Sequence, residues 1–334
     1  MKAILRYDDG FWPNFLAISY TFAGYGVGVW LLTVEQYWLN AVGVLLLSHA
    51  LVYSAYLIHE FAHQTIFQSR RTNDVFGEMM SWLSGSCYAR FDDLRKKHIR
   101  HHADRADVIT FDWREFFNKS PRWFQKTVIA LEWFYIPAIE LVMHGFVMTM
   151  PFFSPYHKDM RLRVISIFAI RATLFGLLAW YSPKAILLYA LSYMLFITVL
   201  RFMDAFQHTY EAYPILEGKM PDIDRKDKQY EYENTYSNLI SVRWPVLNLL
   251  TLNFAYHNAH HTRAGEPWYR LPALHESLYG KQDPQVLPSI TLLKSFHQNR
   301  VRRVVDPSYG EVTPDGDRVA HFYGADGVSF LTAV

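Results

Sequence analysis

Long stretches without charge alternate along this chain with segments dense in it. Residues 11–34 contain no Asp, Glu, Lys or Arg, residues 37–58 contain none either, and only Glu35 and Gln36 separate the two runs. A helix of about 20 residues crosses a hydrocarbon core about 30 Å thick, so each run is long enough to span. The pattern therefore predicts a hairpin of two membrane helices, at about 11–34 and 37–58. A second hairpin is predicted at about 164–181 and 184–201, turning near Pro183. Arg171 falls inside its first helix, a costly place in lipid unless the side chain snorkels or turns into the bundle. Residues 127–153 are apolar but interrupted by Glu132, Pro137, Glu140 and His144, and they predict an amphipathic or re-entrant element at the membrane interface.

The polar segments supply the orientation. Arg70, Arg71, Arg90, Arg95, Lys96, Lys97, Arg100, Arg105, Arg114, Lys119, Arg122 and Lys126 crowd the stretch before the interfacial element, whereas Lys184 is the only basic residue in the two tight turns. The positive-inside rule then places a loop at 59–126, both termini and a C-terminal region at 202–334 in the cytosol. The first apolar run is followed by no small-residue cleavage site and reads as a retained span. The highly charged stretch 217–233 reads as a solvated loop. The expected fold is all-α: an integral membrane protein of two transmembrane helical hairpins, four spans in all, with interfacial helices and a cytosolic helical cap, forming one domain over residues 1–334.

Composition narrows the chemistry. Of the 334 residues 51% are hydrophobic and 17% aromatic, a load that suits helices anchored at interfaces, and 33 basic against 31 acidic residues give too small a net charge to suggest nucleic acid. The single cysteine, Cys87, excludes an internal disulfide and any cysteine-based zinc or iron–sulfur site. Metal chemistry would have to use His, Asp or Glu.

Histidine is where that chemistry concentrates. Eight of the 15 histidines fall in three tight clusters, His59 with His63, His98 with His101 and His102, and His257 with His260 and His261. Positions i, i+3 and i+4 share one face of an α-helix, so each cluster aims its imidazoles at one point. Imidazole suits iron, zinc and copper. Eight ligands exceed the needs of one ion and suit two, and His208, just after the fourth span, is a ninth candidate. His49, His144, His157, His275, His297 and His321 stand alone and read as core, interface or surface residues. Ligating histidines usually give their other ring N–H to a carboxylate or carbonyl, for which Glu60, Asp104, Asp107 and Asp204 are candidates.

The three clusters, in this order and placed after two helical hairpins, resemble the histidine boxes of the membrane fatty acid desaturase and hydroxylase superfamily. The resemblance runs from about residue 11 to about residue 303, and includes residues 85–91 before the second box and 261–274 after the third. It implies a non-haem di-iron oxidase in which His59, His63, His98, His101, His102, His257, His260 and His261 bind two irons, His208 matches a further ligand, and dioxygen is co-substrate. Two departures stand out. The chain lacks the HPGG haem motif of members fused to a b-type cytochrome, and its first box has three residues between the histidines where the animal acyl-CoA branch has four.

Several functions fit these residues. The leading expectation is a desaturase placing a C=C bond in a fatty acid, acyl thioester or acyl lipid. Within the same class stand a decarboxylase releasing a terminal 1-alkene and an acyl hydroxylase. His59-Glu60-Phe61-Ala62-His63 also satisfies the HExxH pattern of a zinc metalloprotease, but that reading leaves the other clusters unexplained. A histidine-lined metal transporter would carry its site at the bilayer midplane. Because the chain carries no haem motif, nucleotide fingerprint or cysteine cluster, an oxidase of this kind needs an external electron donor, a ferredoxin or small cytochrome with its reductase. Membrane lipid is a further expected partner, and nucleic acid is not.

Overall fold

A computed structural model describes residues 4–221, 227–280, 283–306, 322–325 and 330–333. Among them the chain is helical throughout, with isolated β-bridges and no strand. Its α-helices are α1 (Phe11–Thr33), α2 (Tyr37–Ala62), α3 (Arg70–Ser84), α4 (Phe91–Asp104), α5 (Trp113–Lys119), α6 (Arg122–Trp133), α7 (Ala138–Phe153), α8 (Arg161–Tyr181), α9 (Pro183–Asp204), α10 (Lys228–Glu233), α11 (His257–Thr262), α12 (Leu271–Tyr279), α13 (Ser289–Gln298) and α14 (Arg302–Val305). Four of them, α1, α2, α8 and α9, are long and apolar enough to cross a membrane. The expected all-α membrane fold with four spans is the fold observed.

The helices overrun the uncharged runs that predicted them. α2 continues past residue 58 to Ala62, α8 begins at Arg161, and α9 ends at Asp204. Backbone hydrogen bonding does not stop where hydrophobicity does, so α2 carries His59 out of the apolar run on the same helix. The charged stretch 59–126 likewise holds α3, α4 and α5.

The chain divides into two compact units, one of residues 1–94 and 144–199, the other of residues 95–143 and 200–333. In the first unit α1 and α2 pack closely because glycines face the contact. A Cβ on Gly28 would lie 2.9 Å from the Cβ of Leu47, and one on Gly43 would lie 2.8 Å from that of Leu31. Small residues let membrane helices approach and gain dispersion contacts where lipid offers no hydrophobic drive. Asn40 closes the hairpin by donating to Leu31 O at 2.8 Å and Val34 O at 3.0 Å, and Lys184 also donates to Val34 O, at 2.6 Å. Arg171 turns inward, where it donates to Trp82 O at 2.7 Å in the last turn of α3. The spans differ in what they face. The most apolar window of α2 is 67% buried and that of α8 only 11%, which leaves Leu162, Ile165, Phe168, Leu174, Leu177 and Trp180 of α8 exposed as a lipid-facing surface.

In the second unit the acids that interrupt the apolar stretch 127–153 are internal. Glu132 and Glu140 are buried and both meet Arg201, at 2.7 and 3.0 Å. The stretch is broken into α6 and α7, and α7, at 16 residues, falls short of a spanning length. Arg201 meets both buried carboxylates at once, so Arg201→Met should cost about 3–5 kcal/mol, read as a lowered thermal midpoint. Trp113, Phe117, Val128, Ile139, Met143 and Val304 form one apolar cluster of this unit. Phe206, Tyr236, Leu292, Phe296 and Phe322 contribute to another.

Candidate metal centre

The third histidine cluster is aimed by the chain that precedes it. Asn248 holds the approach: its Oδ1 accepts from Ile240 N at 2.8 Å, and its Nδ2 donates to the Tyr256 hydroxyl at 3.1 Å. Leu252 and Asn253 then take left-handed φ values of 50° and 57°, which turn the chain into α11. That helix has only six residues, and His257, His260 and His261 are all buried on it. α4 carries His98, His101 and His102, with Asp92 and Asp93 in its first turn where they complement the helix dipole. His208 lies just past α9, held by an antiparallel bridge to Thr235.

These elements bring four imidazoles together in the second unit. His101, His208, His257 and His261 offer ring nitrogens that lie within 4.8 Å of one another, and all four are linked through Nε2. The His257–His208 separation is 2.9 Å, His208–His261 and His261–His257 are each 3.1 Å, and His101–His261 is 3.3 Å. Three Nε2 atoms in a triangle of this size cannot all be joined by hydrogen bonds, because an imidazole N–H points along one direction. A cation at the centre resolves the conflict. Nitrogens about 2.1 Å from one ion and at right angles stand about 3.0 Å apart, the edge seen here. The donor set thus fits a divalent transition metal. Beside it, His102 Nε2 lies 3.1 Å from His98 Nε2 and 3.0 Å from His260 Nε2, a second convergence of three nitrogens in the same unit.

The far sides of the rings explain why Nε2 points inward. His101 Nδ1 donates to Ala106 O at 2.7 Å and lies 3.5 Å from Asp107 Oδ1, which also meets His208 Nδ1 at 3.2 Å. His261 Nδ1 faces Glu231 Oε1 at 3.2 Å. With Nδ1 carrying the proton, each Nε2 presents its lone pair. Burial, followed by the neighbouring His208, pulls the His101 pKa down to about 4, and burial and adjacent imidazoles hold that of His261 well below its ordinary value. Both rings are therefore neutral near pH 7 and free to offer a lone pair.

The remaining sequence candidates are placed as follows. His59 and His63 sit one turn apart at the end of α2 in the first unit, with ring centroids 4.8 Å apart. Glu60 Oε1 is 3.3 Å from His59 Nδ1, and its Oε2 accepts from Thr65 Oγ1 at 2.6 Å. Asp104 meets Arg100 at 2.8 Å, and Asp204 lines a cavity beside the histidines. Among the lone histidines, His49 bonds Tyr20, His144 faces Tyr193, His297 bonds Tyr135, His275 packs on Tyr256, and His157 lies in a 3-10 turn. His321 lies outside the described residues. Sequence reasoning missed Glu231, because it falls in the charged run read as a solvated loop. Here it sits on α10 and bonds both His261 and Arg105. No spacing signal marks it.

A cavity of about 40 Å³ adjoins both histidine groups of the second unit. Besides the histidines, its lining is polar at Lys97, Asp107, Asp204 and Gln207 and apolar at Val108, Phe254 and Phe330. Burial, opposed by the nearby carboxylates of Asp107 and Asp204, lowers the Lys97 pKa to about 7.

A buried cluster of neutral imidazoles, carboxylate-backed and carried on a helical membrane fold, agrees with comparison to known families. No curated protein matches the chain. The fatty acid desaturase family model matches residues 36–292, about three quarters of the 334 residues. The chain belongs to the fatty acid desaturase family, and with it to the membrane oxidoreductases that act on lipid acyl chains.

Proposed function

We propose that this protein is a dioxygen-dependent di-iron desaturase that introduces one C=C bond into a long acyl chain. The observation that carries the reading is the convergence of four Nε2 atoms at 2.9–3.3 Å in the second unit. His101, His208, His257 and His261 would hold one iron. His98, His102 and His260 would serve the other, and the sequence pattern assigns His59 and His63 to it as well. Family membership replaces the HExxH protease reading.

Bound iron would supply the oxidising power to break an unactivated C–H bond. The chain's own residues supply orientation. Asp107 and Ala106 O fix the tautomer of His101, Asp107 that of His208, and Glu231 that of His261, so that no ring has to reorient during turnover. Val108, Phe254 and Phe330 give the adjoining cavity apolar lining against which a methylene segment could pack. Forming the alkene removes one hydrogen from each of two neighbouring carbons. With two electrons and two protons added, dioxygen leaves as two waters, so an external one-electron donor is required. The basic stretch 59–126 supports a cytosolic position for the site and the donor.

The test is to express the protein, measure its metals and analyse host lipids by mass spectrometry. About two irons per chain and an acyl chain of unchanged length with one new double bond are expected. A single zinc without iron would sink the metal assignment. An alcohol, or a volatile 1-alkene one carbon shorter, would move the reaction to hydroxylase or decarboxylase.

A further inference from the structure

The cavity beside the histidines is lined by two phenyl rings of different origin, 6.2 Å apart. Phe254 belongs to the turn that aims α11, with its ring 5.1 Å from that of His257. Phe330 comes from a segment far along the sequence from either histidine cluster. Its ring centroid is 6.5 Å from His98 and 6.2 Å from Phe254, so it stands beside the middle of α4 and against the approach to α11.

The segment bearing Phe330 is fixed by a specific lock. Thr110 Oγ1 bonds Thr332 Oγ1 at 2.6 Å and Thr332 O at 3.1 Å, and the buried Lys97 Nζ donates to the same carbonyl at 2.8 Å. Leu331, Thr332 and Ala333 are buried, whereas Phe330 keeps partial exposure and lines the cavity. The lock is wired into α4, since Lys97 directly precedes His98. The ring is therefore held in register with the second histidine box.

We propose that Phe330 is a specificity-determining residue, the wall that limits how much substrate can occupy the space beside the histidines, and that the Thr110–Thr332–Lys97 lock sets its position. This rests on the acyl-chain oxidation proposed above. A straight methylene chain fits against a flat phenyl face, whereas a branch at the reacting carbon needs the volume the ring occupies. Misfit of one methyl group in an apolar pocket is worth about tenfold or more in discrimination.

The experiment has two readouts on the iron-loaded protein. The first is competition between a straight-chain acyl substrate and methyl-branched analogues. Phe330→Ala should loosen the discrimination by about tenfold, and Phe330→Trp should tighten it. Thr110→Val, which cuts both bonds to Thr332 but leaves the ring, should shift it in the direction of Phe330→Ala and by less. The second readout is independent of turnover: azide is titrated and followed by its absorption band with the metal. Phe330→Ala should bind azide several-fold more tightly and Phe330→Trp more weakly. Iron content and thermal midpoint identify any variant that fails to fold, and the Ala and Trp variants press in opposite directions. The proposal is overturned if folded variants keep azide affinity and discrimination unchanged, or lose activity equally on straight and branched chains. If the wild type oxidises no acyl chain, the proposed function fails instead, and azide still decides whether Phe330 walls the site.

Discussion

The two histidine groups of the second unit draw on the same two helices but are finished differently. His98, His102 and His260 come from α4 and α11 alone. The other group adds His208 to His101, His257 and His261, and so joins three stretches of chain around four nitrogens. It is also backed by carboxylates, Asp107 behind two of its rings and Glu231 behind a third. A group that is complete in one unit and backed in this way should hold its metal by itself, whereas three nitrogens leave an ion open to further ligands.

Removing a ligand from the four-histidine group should have the largest effect. His261→Ala takes away the nitrogen that meets each of the other three and removes the ring that Glu231 backs. Iron should fall toward about one per chain, and activity by more than about a hundredfold, since even outer partners of such ligands are worth 10–100-fold. Two irons per chain in this variant would show that His261 is not a ligand. His208→Ala should behave alike, because the two rings are two corners of the same triangle.

Next in size is Asp107→Asn. The carboxylate faces both His101 and His208, so an amide there weakens the hold on two tautomers at once. Iron affinity should drop by about 10–100-fold with all the histidines intact, measured by competition with a chelator. Unchanged affinity would mean that Ala106 O suffices to orient His101.

Glu231→Gln should cost less, about tenfold in the same chelator assay. Glu231 backs one ring only and shares its charge with Arg105 at 3.2 Å. Tyr210, whose hydroxyl is 3.5 Å from His261 Nδ1, stays in place as an alternative neighbour. An effect as large as that of Asp107→Asn would mean that the two backing acids are equivalent.

How much of this was legible beforehand follows from the range of each interaction. The spans could be read because a long run without charge is a local property, and the histidine clusters because helical spacing is local too. Helix ends were harder. α2 runs on through His59 to Ala62, since the end of hydrophobicity is no end to hydrogen bonding. Of the acids behind the rings, Asp107 was among four candidates that spacing could not rank, and Glu231 was not among them. Asp104 is three residues from His101 and Asp107 six, but a left-handed Arg105, φ 48°, folds the chain so that the more distant Asp107 returns to the ring while Asp104 remains on α4 with Arg100. Glu231 reaches His261 from another part of the unit, and only the tertiary fold selects it from its charged neighbours.

The smallest effect expected is at a histidine outside both groups, and it tests whether burial alone accounts for neutral imidazoles in this protein. His275 on α12 is buried, with its ring 5.4 Å from those of Tyr256 and Tyr279. Burial lowers its pKa and the Asp283 carboxylate opposes the shift. Near pH 7 the ring is neutral folded or unfolded, so it adds no pH dependence there. As pH falls below about 6.5, the unfolded chain takes up a proton that the folded ring resists, and stability is lost on the acid side. His275→Gln should therefore flatten the fall in thermal midpoint between about pH 7 and pH 5, and leave iron content unchanged. Equal acid slopes for variant and wild type would show that His275 charges freely in the fold. A loss of iron would draw it into the metal centre from which its position separates it.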